Sequence, residues 1–484
     1  MNKLLLIVLP VLLLCIQGHG QTSLDLQTII EKAKTNSSEA AEAKTRYENS
    51  RWTYKAYKAD LKPNLFLNST LPNYNSSITA YDQDDGSQRF ISRSLATSLA
   101  NVSLSQNIGL TGGRVNLSTG LSRIDIFGNN ENTSYLTTPI RIGFTQDLLG
   151  FNNFKWLKKT ETIKYEKAER SYQEALEQIS VKAVNLYFDY YDAQIAIEIA
   201  QVNLKNNEEL YKISKGRYQL GKIAEHELLQ MELNVLNAQK DLRQAKIDLS
   251  NSLALINNYT GMKISKGLVL SPPTMTDTFS VNVERALTYA KNHRADVLER
   301  QRLEIESQKN MAQAKSEARP NISLQASYGV SGSDNSLNDA YGNTLPQKQF
   351  VAGLSMPITT WGKGRARLKI AESTNDLTQI QLKNQELAFE QEIRNLVNQF
   401  NFRKKEYEIA AKSDEIGQKQ YEIARKRYLI GKIAITDLNI ALQGKDQSRR
   451  THYRAMRNYW VDYYKLRQLT LYDFEHDEVL IDLE

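Results

Sequence analysis

The 484-residue sequence predicts an α+β fold made of two tandem copies of one module, in which long helical hairpins alternate with amphipathic strands. The first observation behind this prediction is a repeated phrase. Arg217-Tyr218-Gln219-Leu220-Gly221-Lys222-Ile223-Ala224 returns as Arg427-Tyr428-Leu429-Ile430-Gly431-Lys432-Ile433-Ala434. Each copy lies between long segments rich in Glu, Lys, Ala, Gln and Leu. A repeat of about 200 residues is far longer than a solenoid unit, so two domain-sized copies are expected.

Other landmarks recur in the same order. Lys62-Pro63-Asn64-Leu65 corresponds to Arg319-Pro320-Asn321-Ile322 in the second copy. Gly112-Gly113-Arg114 likewise corresponds to Gly362-Lys363-Gly364-Arg365. The expected segments are a signal peptide over 1–20, a first repeat over 21–262, a second repeat over 263–472 and a C-terminal tail over 473–484. Strands are expected at about 62–149 and 320–358, helical hairpins at 155–260 and 364–471, and hairpin tips at 221 and 431.

The N-terminus has the composition of an export signal. Lys3 precedes an apolar run over 4–16, and Gly18-His19-Gly20 places small residues where signal peptidase prefers them. Cleavage before Gln21 is expected, with lipidation at Cys15 as the alternative. Cys15 is the only cysteine, so the mature fold has no disulfide. No later stretch approaches the roughly 18 apolar residues of a membrane helix.

The charges are typical of solvated helix faces. The chain has 62 Lys+Arg against 55 Asp+Glu, and the two signs are interspersed. A nucleic-acid-binding tract would cluster its cations, so no nucleic-acid partner is predicted.

Helical periodicity extends over long segments, and a 60-residue helix would reach about 90 Å. One segment has apolar residues at steps of mostly 3, 4 or 7, which indicates a coiled-coil seam; its members are Leu229, Leu233, Leu236, Leu242, Leu249, Leu253 and Ile256. The predicted helices are 24–59, 155–218, 223–260, 281–317, 364–428 and 434–471.

The strand segments alternate strictly between apolar and polar residues. Within 101–108, Val102, Leu104 and Ile108 are apolar, and the odd-numbered positions are polar. Segments 65–71, 114–122, 140–148, 321–330 and 350–358 follow a similar alternation. This pattern suits a membrane barrel with lipid outside and water inside, and a soluble β-sandwich is the alternative. Six strands connected to such long helices favour a barrel that is built from the strands of several subunits.

The sequence predicts no catalytic, cofactor-binding or metal-binding residues, and hence no enzyme. The five histidines are scattered. His226-Glu227-Leu228-Leu229-Gln230 resembles the start of a zinc-protease helix but has Gln230 in place of the second histidine. The run 216–222 resembles a phosphate loop, but Ile223 replaces the Ser or Thr that holds magnesium. Gly221 and Gly431 instead fit left-handed caps that reverse the chain at the hairpin tips.

These features together resemble the TolC-type outer-membrane efflux family, from about Leu24 to Tyr472. The resemblance rests on the signal peptide, the duplicated module, the two tips and the Pro-Asn junctions between helix and strand. It implies a homotrimer in the outer membrane of a Gram-negative bacterium, with a shared transmembrane β-barrel that continues into a periplasmic α-barrel. The implied role is the exit duct of a tripartite efflux or type I secretion system. The implied partners are a periplasmic adaptor and an inner-membrane RND or ABC transporter.

The resemblance also implies candidate sites. Adaptor docking falls on the tips, at Leu220, Gly221, Lys222, Ile430, Gly431 and Lys432. Glu227 and Asp437 lie six residues past the tip glycines and serve either as aperture acids or as helix-start acids favoured by the helix dipole. Tyr218 and Tyr428 are either packing residues or hydrogen-bonding latches.

Two features depart from the family pattern. Residues 61–150 contain four alternating segments where the family module has two, so the extra strands either widen the barrel or form an external hairpin. Ile433 stands where some members carry a basic residue that locks the aperture. The alternative function is a non-conducting periplasmic or cell-surface coiled-coil scaffold, which has no use for a lipid-facing apolar band.

Overall fold

The computed structural model describes residues 24–128, 131–264, 268–273 and 279–481. The predicted signal peptide and Cys15 lie outside these residues. The helices are α1 Leu26–Asn36, α2 Ser38–Asp60, α3 Asn153–Gln219, α4 Glu225–Thr260, α5 Val283–His293, α6 Ala295–Glu317, α7 Leu337–Gly342, α8 Lys363–Leu429 and α9 Ile435–Thr470. The strands are β1 Asn64–Asp82, β2 Gln88–Asn107, β3 Arg114–Phe127, β4 Asn132–Asp147, β5 Asn321–Asp334, β6 Leu345–Ser355, β7 Tyr472–Asp473 and β8 Glu478–Val479.

The predicted helices are confirmed, with one correction in each repeat. Segments 24–59 and 281–317 are each divided into two helices, because Ser37 and Arg294 have extended backbones with ψ of 150° and 143°. Ser37 begins the next helix by accepting a hydrogen bond from the Ala40 N–H on its hydroxyl at 3.1 Å. Within the described ranges, no helix has both the length and the apolar character needed to cross a membrane.

The chain folds into two compact units, and each of them takes segments from both repeats. The helical unit contains the described residues up to 43 together with 174–286 and those from 393 onward. The sheet unit contains 44–173 and 287–392.

The sheet unit holds one antiparallel sheet of six strands in the order β1-β2-β3-β4-β5-β6. Four of these strands come from the first repeat and two from the second, which confirms the predicted segments. Register irregularities lie between Thr70 and Asn73 in β1, between Ser118 and Gly120 in β3, and between Thr137 and Ile140 in β4. The β2–β3 ladder runs from Asn107↔Arg114 to Ser94↔Phe127 without a register shift.

Near the end of the sheet that contains Asn64, the two faces differ in polarity. Two adjacent cross-strand rows show the difference, because neighbouring residues on a strand point to opposite faces. The apolar row consists of Leu65, Leu104, Leu117, Ile142 and Tyr328 on β1 to β5 and ends at Lys348 on β6. The polar row beside it consists of Asn64, Ser105, Asn116, Gly143, Ser327 and Gln349.

The helical unit has an aromatic core and a buried ion network. The Phe400 and Tyr459 rings lie 5.3 Å apart. Arg467 contacts Glu177 at 3.1 Å and also pairs with Asp473, which is fully buried. Burial alone raises the pKa of the Asp473 carboxyl, but Arg467 and the hydrogen bonds that Asp473 accepts hold that pKa below its ordinary value. The network therefore fastens the chain that follows α9 to the helical core.

Candidate functional site

The first hairpin tip is a left-handed glycine turn. Gly221 has φ of 66°, a conformation that side-chain-bearing residues rarely adopt. Its N–H donates to the Tyr218 carbonyl at 2.9 Å, and the Lys222 N–H donates to the Arg217 carbonyl at 2.8 Å. These two bonds form a Schellman motif, which satisfies carbonyl groups at the end of α3.

The second tip repeats this geometry at the end of α8. Gly431 has φ of 76°, its N–H donates to the Tyr428 carbonyl at 2.9 Å, and the Lys432 N–H donates to the Arg427 carbonyl at 2.9 Å. The predicted left-handed caps at both glycines are therefore confirmed. The repeated phrase encodes one turn, used twice.

Each tip exposes an apolar side chain next to a cation. Leu220 and Ile430 are 75% and 66% exposed, and Lys222 and Lys432 are also exposed. An exposed leucine or isoleucine is common on a protein surface. Here, however, Leu220 beside Lys222 and Ile430 beside Lys432 occupy equivalent positions on the two glycine turns. We call each such pair of an apolar side chain and a lysine a knob.

The two tips are joined to each other by polar contacts. The Ser214 hydroxyl on α3 lies 3.0 Å from the Tyr428 hydroxyl on α8. The Arg217 guanidinium donates to the Tyr428 carbonyl at 3.1 Å and also to the Leu429 carbonyl. Its centre lies 5.6 Å from the Tyr428 ring centroid, within range of a cation–π contact. One arginine of the first repeat thus caps the end of the second long helix.

A small apolar cluster lies next to these contacts and holds all four helix ends together. Its buried members are Leu210, Met231, Tyr421, Tyr428, Ile435 and Leu438, which come from α3, α4, α8 and α9. Burial raises the pKa of the Tyr421 hydroxyl, so that phenol stays protonated. Farther along α4 and α9, the Asn234 side-chain amide donates to the Asn439 amide oxygen at 3.1 Å.

The two tip tyrosines occupy different environments although they are equivalent in sequence. Tyr428 is 2% exposed and combines ring packing with the Ser214 hydrogen bond. Tyr218 is 41% exposed. Tyr428 is therefore enclosed within its own chain, whereas the equivalent Tyr218 is left partly open to solvent.

The two candidate aperture acids lie at equivalent positions in the first turns of α4 and α9. Asp437 is exposed and accepts a hydrogen bond from the Ala434 N–H at 3.3 Å, which is a helix-capping contact. Glu227 is half-buried. Within the described chain no hydrogen bond or ion pair joins Glu227 to Asp437.

Sequence reasoning missed the residues that join the tips, namely Ser214, Arg217, Asn234 and Asn439. A signal existed for one of them, because Arg217 and Arg427 open both copies of the repeated phrase. Ser214 and the two asparagines lie among many similar residues on long polar helices, where spacing alone does not distinguish them.

A cleft of about 460 Å³ lies on the same unit between α3, α8 and α9. Four cationic side chains line it, accompanied by apolar and polar groups. The lining residues are Ile199, Val202, Asn206, Gln418, Tyr421, Glu422, Arg425, Lys426, Leu429, Lys445 and Arg449.

Comparison with known families shows which family the chain resembles over both repeats. The family described as "Outer membrane efflux protein" matches residues 29–262 and 287–470, which is most of the chain and includes both tips. No curated protein sequence matches significantly.

Solved structures match over nearly the whole chain at low identity. The CmeC outer membrane channel of Campylobacter jejuni is 16% identical, with TM-score 0.66 over 92% of this chain and 85% of that one. The outer membrane protein VceC of Vibrio cholerae is 14% identical, with TM-score 0.65 over 92% and 95%. The open MtrE outer membrane channel of Neisseria gonorrhoeae is 16% identical, with TM-score 0.59 over 92% and 88%. At these identities the likeness establishes the fold.

Proposed function

The chain belongs to the outer membrane efflux protein family and is an efflux channel of the outer membrane, and we propose that three copies form one continuous duct that reaches into the periplasm. In this proposal the sheet unit supplies the barrel and the helical hairpins supply the tunnel. The observation that carries the trimer is an apolar stripe left exposed on α8.

This stripe has a spacing of seven residues. It consists of Phe402, Ile409, Ile416 and Ile423, each more than half exposed. A heptad of large apolar side chains is the pattern by which one helix packs along another. Water contact along such a stripe is unfavourable by about 25 cal/mol per Å² of apolar surface. A second helix is therefore expected to cover it.

The same chain offers a candidate for that second helix. Leu229, Leu233 and Leu236 on α4 are at least half exposed and form part of the predicted coiled-coil seam. Two different exposed stripes on one chain favour head-to-tail contacts between copies. Contacts of this kind close into a ring when the rotation between neighbours permits it.

The sheet supports the same assembly. Backbone groups at an open sheet edge cannot be left unpaired in lipid, so a membrane sheet must close into a barrel. The smallest bacterial membrane barrels have about eight strands. The six strands of this sheet must therefore be pooled with those of other copies.

We assign adaptor docking to the tips, at Leu220, Gly221 and Lys222 and at the equivalent Ile430, Gly431 and Lys432. The two tips present the same knob of apolar side chain and cation, so one adaptor surface can bind either tip. The proposed partners are a periplasmic adaptor and an inner-membrane RND or ABC transporter. The support for this assignment is that both tips lie within the residues that the outer membrane efflux protein family matches.

The family is one of ducts, and we propose that this chain carries out no chemical reaction. Cargo crosses a water-filled lumen, and the energy comes from the inner-membrane pump. The alternative of a non-conducting scaffold is not favoured, because the family match covers both repeats and an apolar row crosses five strands of the sheet.

We further propose that Glu227 and Asp437 line the periplasmic aperture, where three copies bring six carboxylates together. Rings of carboxylates favour cations in channels. Tyr428 and Arg217 act as the latch between the two hairpins of each copy, and Tyr218 packs against a neighbouring copy. The exposure of Asp437 and the contacts of Arg217 support this assignment.

Planar-bilayer recordings test the aperture. The wild-type protein is expected to give discrete, cation-preferring conductance steps. Glu227→Gln combined with Asp437→Asn is expected to reduce this preference and to weaken block by multivalent cations, because the carboxylate charge is gone. The asparagine retains a carbonyl oxygen that accepts the Ala434 N–H, so trimer yield stays the same. Unchanged selectivity and block in the double variant would restrict both acids to helix capping.

A further inference from the structure

We propose that the barrel of this protein has eighteen strands, six from each of three copies, and that β1 of one copy pairs with β6 of the next. The inference rests on the proposed trimer and adds the strand count and the identity of the pairing edges. A module with two strands per repeat would give four strands per copy and twelve in all. The question is therefore whether the extra strands belong to the barrel or lie outside it.

The polarity of the faces places all six strands in one barrel wall. The polar row Asn64, Ser105, Asn116, Gly143, Ser327 and Gln349 crosses the sheet without an apolar member. On the other face, Leu65 and Leu104 of β1 and β2 continue the apolar row of Leu117, Ile142 and Tyr328. A hairpin outside the barrel has no reason to keep its apolar side chains in line with the lipid-facing band.

The ladder between β2 and β3 supports the same conclusion. It has fourteen consecutive residue pairs with no register shift. An external hairpin would require this ladder to break, because β3 would then have to pair with another copy. The N–H and C=O groups along β2 would lose their partners, at a cost of several kcal/mol for each unsatisfied group in lipid.

The sheet has two edges that remain to be paired. Among the described residues, β1 pairs on one side only, with β2, and β6 on one side only, with β5. Leu65 and Leu67 on β1 and Phe350 and Leu354 on β6 are all exposed, and each pair lies on the apolar face. Both edges therefore belong to the band that lipid covers, and a second copy of this chain carries the matching edge.

The strand stagger also suits closure. The polar row begins at Asn64, the first residue of β1, and reaches β6 at Gln349, six positions before the strand ends at Ser355. The strands are thus displaced in one direction along the sheet. Barrels need such a stagger, because closure tilts the strands relative to the barrel axis. The register irregularity between Thr70 and Asn73 contains Pro72, and proline is tolerated at such breaks in the ladder.

Cysteine cross-linking between copies tests the proposal in the full-length protein in membranes. Ser355→Cys, on the polar face of β6, is combined in turn with Asn64→Cys, Phe66→Cys and Asn68→Cys on the same face of β1. The matched controls combine Ser355→Cys with Asn116→Cys or Ser118→Cys on the polar face of β3. Each single-cysteine variant is run alongside, because the native chain carries Cys15.

At least one β1–β6 pair is expected to give covalent dimers and trimers on oxidation, and the β3–β6 pairs are expected to give none. Cross-links from the β3–β6 pairs would overturn the proposal in favour of twelve strands. A trimeric protein, shown by light scattering, with no β1–β6 cross-link would also overturn it. A stable monomer inserted in the membrane would instead refute the proposed trimer, and only that result removes both proposals together.

Discussion

Replacing Ile416 with aspartate is expected to reduce the trimer fraction of the detergent-solubilised protein by more than tenfold. Ile416 lies in the middle of the exposed stripe on α8. If a neighbouring copy covers this stripe, the variant buries a carboxylate in each of three interfaces. Burying an unpaired charge destabilises an interface by several kcal/mol. A change of about 1.4 kcal/mol already shifts an association equilibrium tenfold. Light scattering measures the mass, with three protomers expected for the wild type.

The matched control is Gln418→Asp, which adds the same charge two residues away on the opposite side of the same helix. Gln418 is exposed and lies beside the cleft within its own chain. This control is expected to remain trimeric. Circular dichroism of both variants is expected to show the wild-type helix content, because Ile416 is already exposed in the single chain. An unchanged trimer fraction in Ile416→Asp would mean that the stripe faces something other than another copy.

Gly431→Val is expected to abolish export while leaving the trimer intact. The left-handed φ of 76° costs a β-branched residue about 1–2 kcal/mol at one turn. A Cβ at Gly431 meets no atom of the chain within 4 Å, so the added side chain points into free space at the proposed docking surface. Export in a strain that lacks the native gene, and co-purification of the periplasmic adaptor, are the measurements.

Gly444→Val serves as the control, because Gly444 on α9 is also exposed, has no atom within 4 Å of an added Cβ, and is not among the positive-φ glycines. It is expected to export normally. Full export by Gly431→Val would refute docking at the second tip. Loss of export together with loss of the trimer would point instead to a role of Gly431 in folding.

Much of this architecture could be predicted from sequence because its signals are local and repeated. Alternation of period two predicted the six strands, and the glycine of each repeated phrase predicted the turn that the structure shows at Gly221 and Gly431. The breaks at Ser37 and Arg294 were not predicted, because a single extended residue barely changes helical periodicity. The short β7–β8 hairpin was also missed, since two-residue strands have no detectable period.

The contacts between tips could not be predicted for a different reason. Arg217 caps Tyr428 and Leu429 across more than two hundred residues of sequence, and nothing in the spacing specifies which helix ends meet. The difference between Tyr218 and Tyr428 has the same origin, since two similar phrases place one tyrosine against α3 and leave the other 41% exposed. A duplicated sequence predicts equal environments, and only the fold shows where the equivalence fails.

The central claim is that three copies build one continuous passage from the barrel to the hairpin tips. Single-particle electron cryomicroscopy of the detergent-solubilised protein tests it most directly. The expected result is a threefold particle with a single lumen that runs through the sheet units and between the hairpins and narrows near Glu227 and Asp437. A monomeric particle, or a threefold particle whose helices form a solid bundle without a lumen, would contradict the duct.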